Sequence, residues 1–262
     1  MKTLLIIIVY LFSFSFSFAG NQKEGLMFRI SGNDLKTPSY ILGSFHLIDG
    51  KEVHQLAHFD SLYKQAPQIC FETEMDKKTS VEQAAPNRSS DKVASSSQNS
   101  FKSMDYYIYD EAVKDRKKVL YLEPIAVQDS ILKEMVDTKK RNQQSLSVSG
   151  TDKSKQVAEI SKKAYMKQIK KLMEQITQLR QLYLQGKGQE MLAILAAEAQ
   201  QQSAVDKQVA KRNEAWVRLM PDMMKQGCTL FVVGLSHVLP YRGSQGLLAD
   251  LSEMGYQIDT IK

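Results

Sequence analysis

"ILGSFHL" (Ile41–Leu47) and "VVGLSHV" (Val232–Val238) decide the fold of this chain. In each, an apolar run ends in glycine, two residues intervene, and a histidine follows. The chain has only four histidines, and two of them stand in this one frame, almost two hundred residues apart. Upstream of the first frame, "LMFRI" and "SYILG" flank the turn-forming "SGND", which reads as a hairpin. Downstream come a polar loop, a helical pattern from about Val53 to Lys64, Pro67, and the strand-like "QICFETE". The second frame opens on the strand-like "CTLFVVG". It continues through the loop "LSHVLPYRGSQ", the helical "GLLADLSEM" with Gly255 as its stop, and the strand-like "YQIDTIK". Both frames therefore read strand–GxxH–helix–strand, an internal pseudo-repeat. This predicts an α/β fold with a mixed central sheet built from the two units. Loops that follow strand carboxyl ends collect at one sheet edge, so the repeat predicts that His46 and His237 meet there. The glycines permit a sharp turn or a close approach to a ligand.

Between the two frames the pattern turns helical. "FKSMDYYIYDEAVKD" reads as a helix, "KKVLYLE" as a strand, and Pro124 opens a further helix. A long helical pattern from about Ala158 to Leu184 is interrupted at Gly186 and Gly188. "QEMLAILAAEAQQ" and "SAVDKQVAKRNEAWVRLMPDMMKQG" read as two more helices. The stretch from about 75 to 103 is polar and Ser-rich, with little to bury, and reads as a flexible insertion within one domain.

The first nineteen residues read as a cleaved signal peptide. Lys2 precedes an apolar run that ends in Ser17-Phe18-Ala19, a small-x-small cleavage pattern. The run is short for a membrane span. The expected mature domain is 20–262, exported to a periplasm or outside the cell, with no stable membrane anchor. Removing Lys2 leaves 34 basic against 29 acidic side chains, a net charge of +5. That mild excess, without interleaved aromatic residues for base stacking, argues against a nucleic-acid partner. Hydrophobic residues make up 43% of the chain, enough for a real core. Cys70 and Cys228 sit in or beside apolar strand-like runs and read as two buried thiols.

Within "CFETEMD", Glu72 and Glu74 are two apart, which in a strand puts both carboxylates on one face. Acidic groups closing an apolar strand are costly unless paired, hydrated or metal-bound. Two imidazoles and one carboxylate make a common divalent-metal set, so His46, His237 and Glu72 are candidate ligands. Their bland alternative is strand capping and hydrogen bonding. His54 and His58 are i, i+4, but the frame His-Gln-Leu-Ala-His lacks the glutamate of the H-E-x-x-H zinc proteases, so they read as surface histidines. Arg212 of "AKRNEAWVRLM" reads as paired with an acid, or as an oxyanion partner. There is no G-x-S-x-G elbow, phosphate loop or dinucleotide fingerprint.

With these motifs in order, the chain resembles the TraB/GumN family, which includes PrgY and the Tiki-type proteins. The resemblance rests on Gly43–His46, Gly234–His237 and Glu72. It also rests on Leu122, Glu123 and Gln128 of an L-E-x-x-x-x-Q element (with Tyr121 where a Gly is usual), on Tyr183, on Arg212-Asn213 and Trp216, and on the closing Gly246–Tyr256 stretch. Glu74 stands where the family often has Asp. The resemblance implies a metal-dependent hydrolase, a peptidase of the Tiki type. It implies a divalent ion (Mn, Co or Zn) on His46, His237 and Glu72, with a peptide or protein as substrate. Glu74 would take a proton from water and Arg212 would stabilise charge, or Glu72 would itself be the base. The alternative is a peptide-sequestering protein that uses the same cleft without turnover.

Overall fold

The computed structural model describes residues 24–75, 101–130, 133, 154–198 and 204–262. The expected signal peptide and nearly all of the Ser-rich insertion lie outside these residues. In chain order the elements are β1 (Met27–Ser31), β2 (Ser39–Ser44), a 3-10 turn (Gly50–Gln55), α1 (Phe59–Gln65), β3 (Gln68–Thr73), α2 (Met104–Lys114) and β4 (Lys118–Glu123). Then come α3 (Ser154–Leu184), α4 (Gly188–Glu198), α5 (Ala204–Gln226), β5 (Thr229–Gly234), the short α6 (Leu235–Val238), α7 (Leu247–Glu253) and β6 (Gln257–Ile261). A helical turn at 125–130 follows β4.

The six strands form one sheet in the order β4-β3-β5-β2-β1-β6. β1 is antiparallel to both β2 and β6, while β2/β5, β5/β3 and β3/β4 are parallel. The mixed α/β sheet expected from the two repeats is therefore present, with a helical region between them. β5 sits in the centre, and every residue of TLFVVG is buried, as a strand covered on both faces requires. The β1–β2 hairpin turns through Gly32, Asn33 and Asp34, all at positive φ.

The two repeat units wind in opposite directions. β2 connects across β5 to β3, whereas β5 connects across β2 and β1 to β6. Their helices lie on opposite faces, the 3-10 turn with α1 on the side of α2 and α7 on the side of α5. Phe71 of β3 meets Tyr109 of α2 edge to face, with ring centres 5.9 Å apart. The neighbouring Glu72 points the other way and receives Arg212 of α5. The junction of β2 and β5 is thus a point where the winding reverses, and β2, β5, β3 and β4 all bring their carboxyl ends to the same edge.

One expected element is corrected. The helix read from about Val53 to Lys64 is a 3-10 turn and a separate helix, with His58 between them at φ 69. The buried residues Val53, Leu56, Phe59 and Leu62 recur every third position. In a continuous α-helix at about 100° per residue, Leu62 would end up opposite Val53. The three-residue period suits 3-10 geometry, and the break keeps all four side chains in the core. Cys70 and Cys228 are both free. Among the described residues no helix is long and apolar enough to cross a membrane.

Candidate functional site

The two repeats touch through their glycines. β2 and β5 pair with Gly43 opposite Val233 and Ser44 opposite Gly234. Neither motif glycine has a positive φ; Gly234 sits at φ −54, ψ 137. Close approach is what requires glycine here. A Cβ on Gly43 would lie 2.5 Å from Leu235 Cδ1. A Cβ on Gly234 would lie 3.1 Å from Glu72 Oε1, 3.8 Å from His46 Nε2 and 3.9 Å from His237 Cδ2. The three candidate ligands therefore surround one small space that the absent side chain leaves open. Tyr183, fully buried on α3, donates its hydroxyl to the Gly43 carbonyl at 2.7 Å and fixes the first motif from the helical side.

Each histidine is oriented through its Nδ1. His237 is buried, and its Nδ1 lies 2.7 Å from Asn213 Oδ1. The Asn213 amide nitrogen donates to the His237 carbonyl and to Ser244 Oγ, so Oδ1 is the acceptor and His237 Nδ1 carries the proton. The Trp216 ring lies against the imidazole, with centres 4.4 Å apart. Burial is the main cause that holds His237 down to about 4, so the ring is neutral and Nε2 is an acceptor. The His46 side chain is 57% exposed, and its Nδ1 bonds to Oδ2 of the buried Asp105, whose Oδ1 accepts from Ser44 Oγ at 2.7 Å. The Asp105 carboxylate is the main cause that pushes His46 up to about 9.

Arg212, largely buried on α5, joins the cluster. Its Nε and Nη2 edge lies on Glu123 at 3.1 and 2.7 Å, and Nη2 also donates to Glu72 Oε2 at 2.8 Å. Nη1 donates to His237 Nε2 at 3.0 Å. Trp216 supports both members, donating from Nε1 to Glu123 Oε2 and stacking under the guanidinium at 4.5 Å. Glu72 Oε1 accepts from the Gly234 N–H at 2.6 Å. Burial alone would raise the Glu72 carboxyl, but His237, Arg212, His46 and the Gly234 N–H outweigh it and hold it at about 2.

The donor types suit a divalent ion: two imidazoles whose Nδ1 atoms are engaged by side-chain oxygens, and one ionised carboxylate. Their lone pairs are partly taken. Arg212 holds His237 Nε2 and Glu72 Oε2, and among the described residues no three His, Cys, Asp or Glu side chains form a metal-holding group as they stand. A guanidinium occupies the place of positive charge.

The sheet edge thus brings together His46, Glu72, His237 and Arg212, four of the residues singled out from the sequence. Glu74 is not among them. β3 ends at Thr73, and Glu74 is exposed beyond it, without a hydrogen bond to the cluster among those described. His54 and His58 are exposed and lie elsewhere. His54 bonds Asp60 at 2.6 Å and Tyr107 at 3.0 Å, a surface arrangement. One residue is an addition, Asp105 behind His46, and Glu123 of the L-E-x-x-x-x-Q element gains a place in the site as the anchor of Arg212. Gln128 lines the same cavity.

The family model described as TraB/PrgY/gumN matches residues 84–260, more than half of the chain. That span contains Glu123, Arg212 and His237, while His46 and Glu72 precede it. No curated protein and no solved structure matches the chain significantly.

Proposed function

The chain belongs to the TraB/PrgY/gumN family, and on that premise we propose that it is an exported, metal-dependent hydrolase that cuts a peptide or protein. The observation that carries this reading is the convergence of His46 Nε2, Glu72 Oε1 and the His237 ring on the space beside Gly234. His46, His237 and Glu72 would hold a divalent ion (Mn, Co or Zn). Such an ion supplies Lewis-acid polarisation of a carbonyl and a more acidic water.

The chain's own groups do the rest. Glu72, ionised down to about 2, is matched to holding a cation and is a weak proton acceptor at neutral pH. Asp105 and Asn213 fix the two rings so that each turns Nε2 inward. Arg212 keeps its Nε–Nη2 edge on Glu123, and Nη1, which donates one hydrogen to His237 Nε2, has a second to serve charge developing on a substrate oxygen. Glu74, exposed beyond the strand, has no part in this scheme.

The test is product formation. Chelated protein, reloaded separately with Mn, Co or Zn, is incubated with a peptide library and the products are read by mass spectrometry. Cleavage restored by metal supports the reading; absence of cleavage with every metal overturns it. Export is tested on protein recovered from its native host, where loss of the first nineteen residues is expected and an intact Met1 contradicts it.

A second reading is a peptide-sequestering protein that uses the same cavity. The hold of Arg212 on two ligand atoms favours it, because the cluster is already charge-paired without a metal. Saturable peptide binding without products distinguishes it from the hydrolase.

A further inference from the structure

The cavity beside the cluster encloses about 250 Å³ and has two unlike walls. One wall carries His46, Glu72, Arg212 and His237. The rest of the lining, polar at Gln128 and Gln208, includes an apolar wall of Met191 and Leu195 of α4 and Val209 of α5. Met191 and Leu195 are four apart and share a helix face. Met191 is 1% exposed and fixed in the core, whereas Leu195 is half-buried and packs only partly against it. No charged side chain lines this wall.

The apolar wall is held in register with the charged one. α4 begins at Gly188, where a Cβ would meet the Gly25 carbonyl at 2.8 Å and the side chains of Leu235 and Leu239 at 3.2 Å. Leu235 directly follows Gly234, and His237 lies two residues further on. The start of α4 is therefore seated on the segment that carries the second motif histidine, and the placement of its side chains follows that of His237.

The size selects the occupant. Pockets that enclose whole drug-sized ligands run to about 300–1,000 Å³. This one lies below that range, which suits one side chain and the backbone unit attached to it. Filling it with an apolar side chain removes water from the charged wall and strengthens the interactions there.

We propose that Leu195, with Met191 and Val209, forms a specificity subsite that seats a bulky apolar side chain of a peptide, on the residue adjoining the bond presented to the His46–Glu72–His237 wall. The identity of that bond rests on the hydrolase reading; the preference for the side chain does not.

The experiment uses fluorescein-labelled octapeptides of one sequence that differ only in two central residues: Leu-Leu, Ala-Ala, Lys-Lys or Asp-Asp. Binding is read by anisotropy and cleavage by mass spectrometry, on the wild type, L195A, L195K and the exposed-site control L219K, each checked by thermal melting. The wild type and L219K should bind the Leu-Leu peptide at least tenfold more tightly than the Lys-Lys and Asp-Asp peptides. L195A should lose most of the Leu-over-Ala preference, and L195K should turn the preference toward Asp-Asp. Selective binding without cleavage, by protein reloaded in turn with Mn, Co and Zn, would favour the peptide-sequestering reading over the hydrolase and leave the subsite standing. Cleavage without preference, absence of binding, or an L195K profile equal to wild type overturns the subsite.

Discussion

Arg212 Nη1 stands 3.0 Å from His237 Nε2, the ring nitrogen left as an acceptor once Nδ1 donates to Asn213. The same guanidinium reaches Glu72 Oε2 at 2.8 Å. A resident cation thus holds two of the three groups that would face a divalent ion. A divalent ion bound there would compete with Arg212 for the same lone pairs.

Removing the guanidinium should separate its two effects. In chelator, R212M should melt at a lower temperature than wild type, because breaking a largely buried ion pair costs about 3–5 kcal/mol. Divalent metal should then raise the midpoint of R212M more than that of wild type, corresponding to at least about tenfold tighter binding. Equal metal-induced shifts in the two proteins would show that Arg212 and metal do not compete.

The two motif glycines should fail differently. In G43A the new Cβ meets Leu235 at 2.5 Å, at the contact between the repeats, so the loss should fall on stability. In G234A it meets Glu72 Oε1 at 3.1 Å and approaches both histidines, so metal binding should be lost while stability drops by only about 1–3 kcal/mol. Urea unfolding and metal titration of both variants read this. The reverse pattern would contradict the assignment of Gly234 to the site.

The pairing of His46 with His237 was legible because a repeated frame implies an equivalent position in the sheet. Glu72 was legible from its place at the end of an apolar strand. Arg212 was visible as a residue, but its partners Glu123 and Glu72 come from other elements, which no local pattern reveals. Asp105 was missed for a related reason. An acid in the first turn of a helix is favoured by the helix dipole alone, and its contact with His46 spans 59 residues. Strand alternation groups Glu74 with Glu72, but the strand stops at Thr73 and the alternation stops with it. The break at His58 was present in the three-residue spacing of Val53, Leu56, Phe59 and Leu62, which fits an α-helix poorly over its whole length.

Stability of the metal-free protein should peak near pH 6.5. His46 is raised from 6.5 to about 9, so the contribution of its pair with Asp105 is full below 6.5 and is lost as pH rises toward 9. His237 is lowered from 6.5 to about 4, so as pH falls through that window the unfolded ring takes a proton that the folded ring refuses, and stability falls. Thermal midpoints from pH 4 to 9 should show both limbs. D105N should flatten the alkaline limb, and N213D should raise the His237 titration read by NMR. An alkaline limb unchanged in D105N would contradict the role given to Asp105.

The most direct measurement is a calorimetric titration of Mn, Co and Zn into chelator-treated protein, comparing wild type with H46A, H237A, E72Q and the double variant H54A/H58A. One ion should bind per wild-type chain and per H54A/H58A chain, and binding should be lost in each of the three site variants. Absence of binding to wild type by all three metals, or wild-type affinity in H46A, would contradict the convergence of His46, Glu72 and His237 as a metal-holding site.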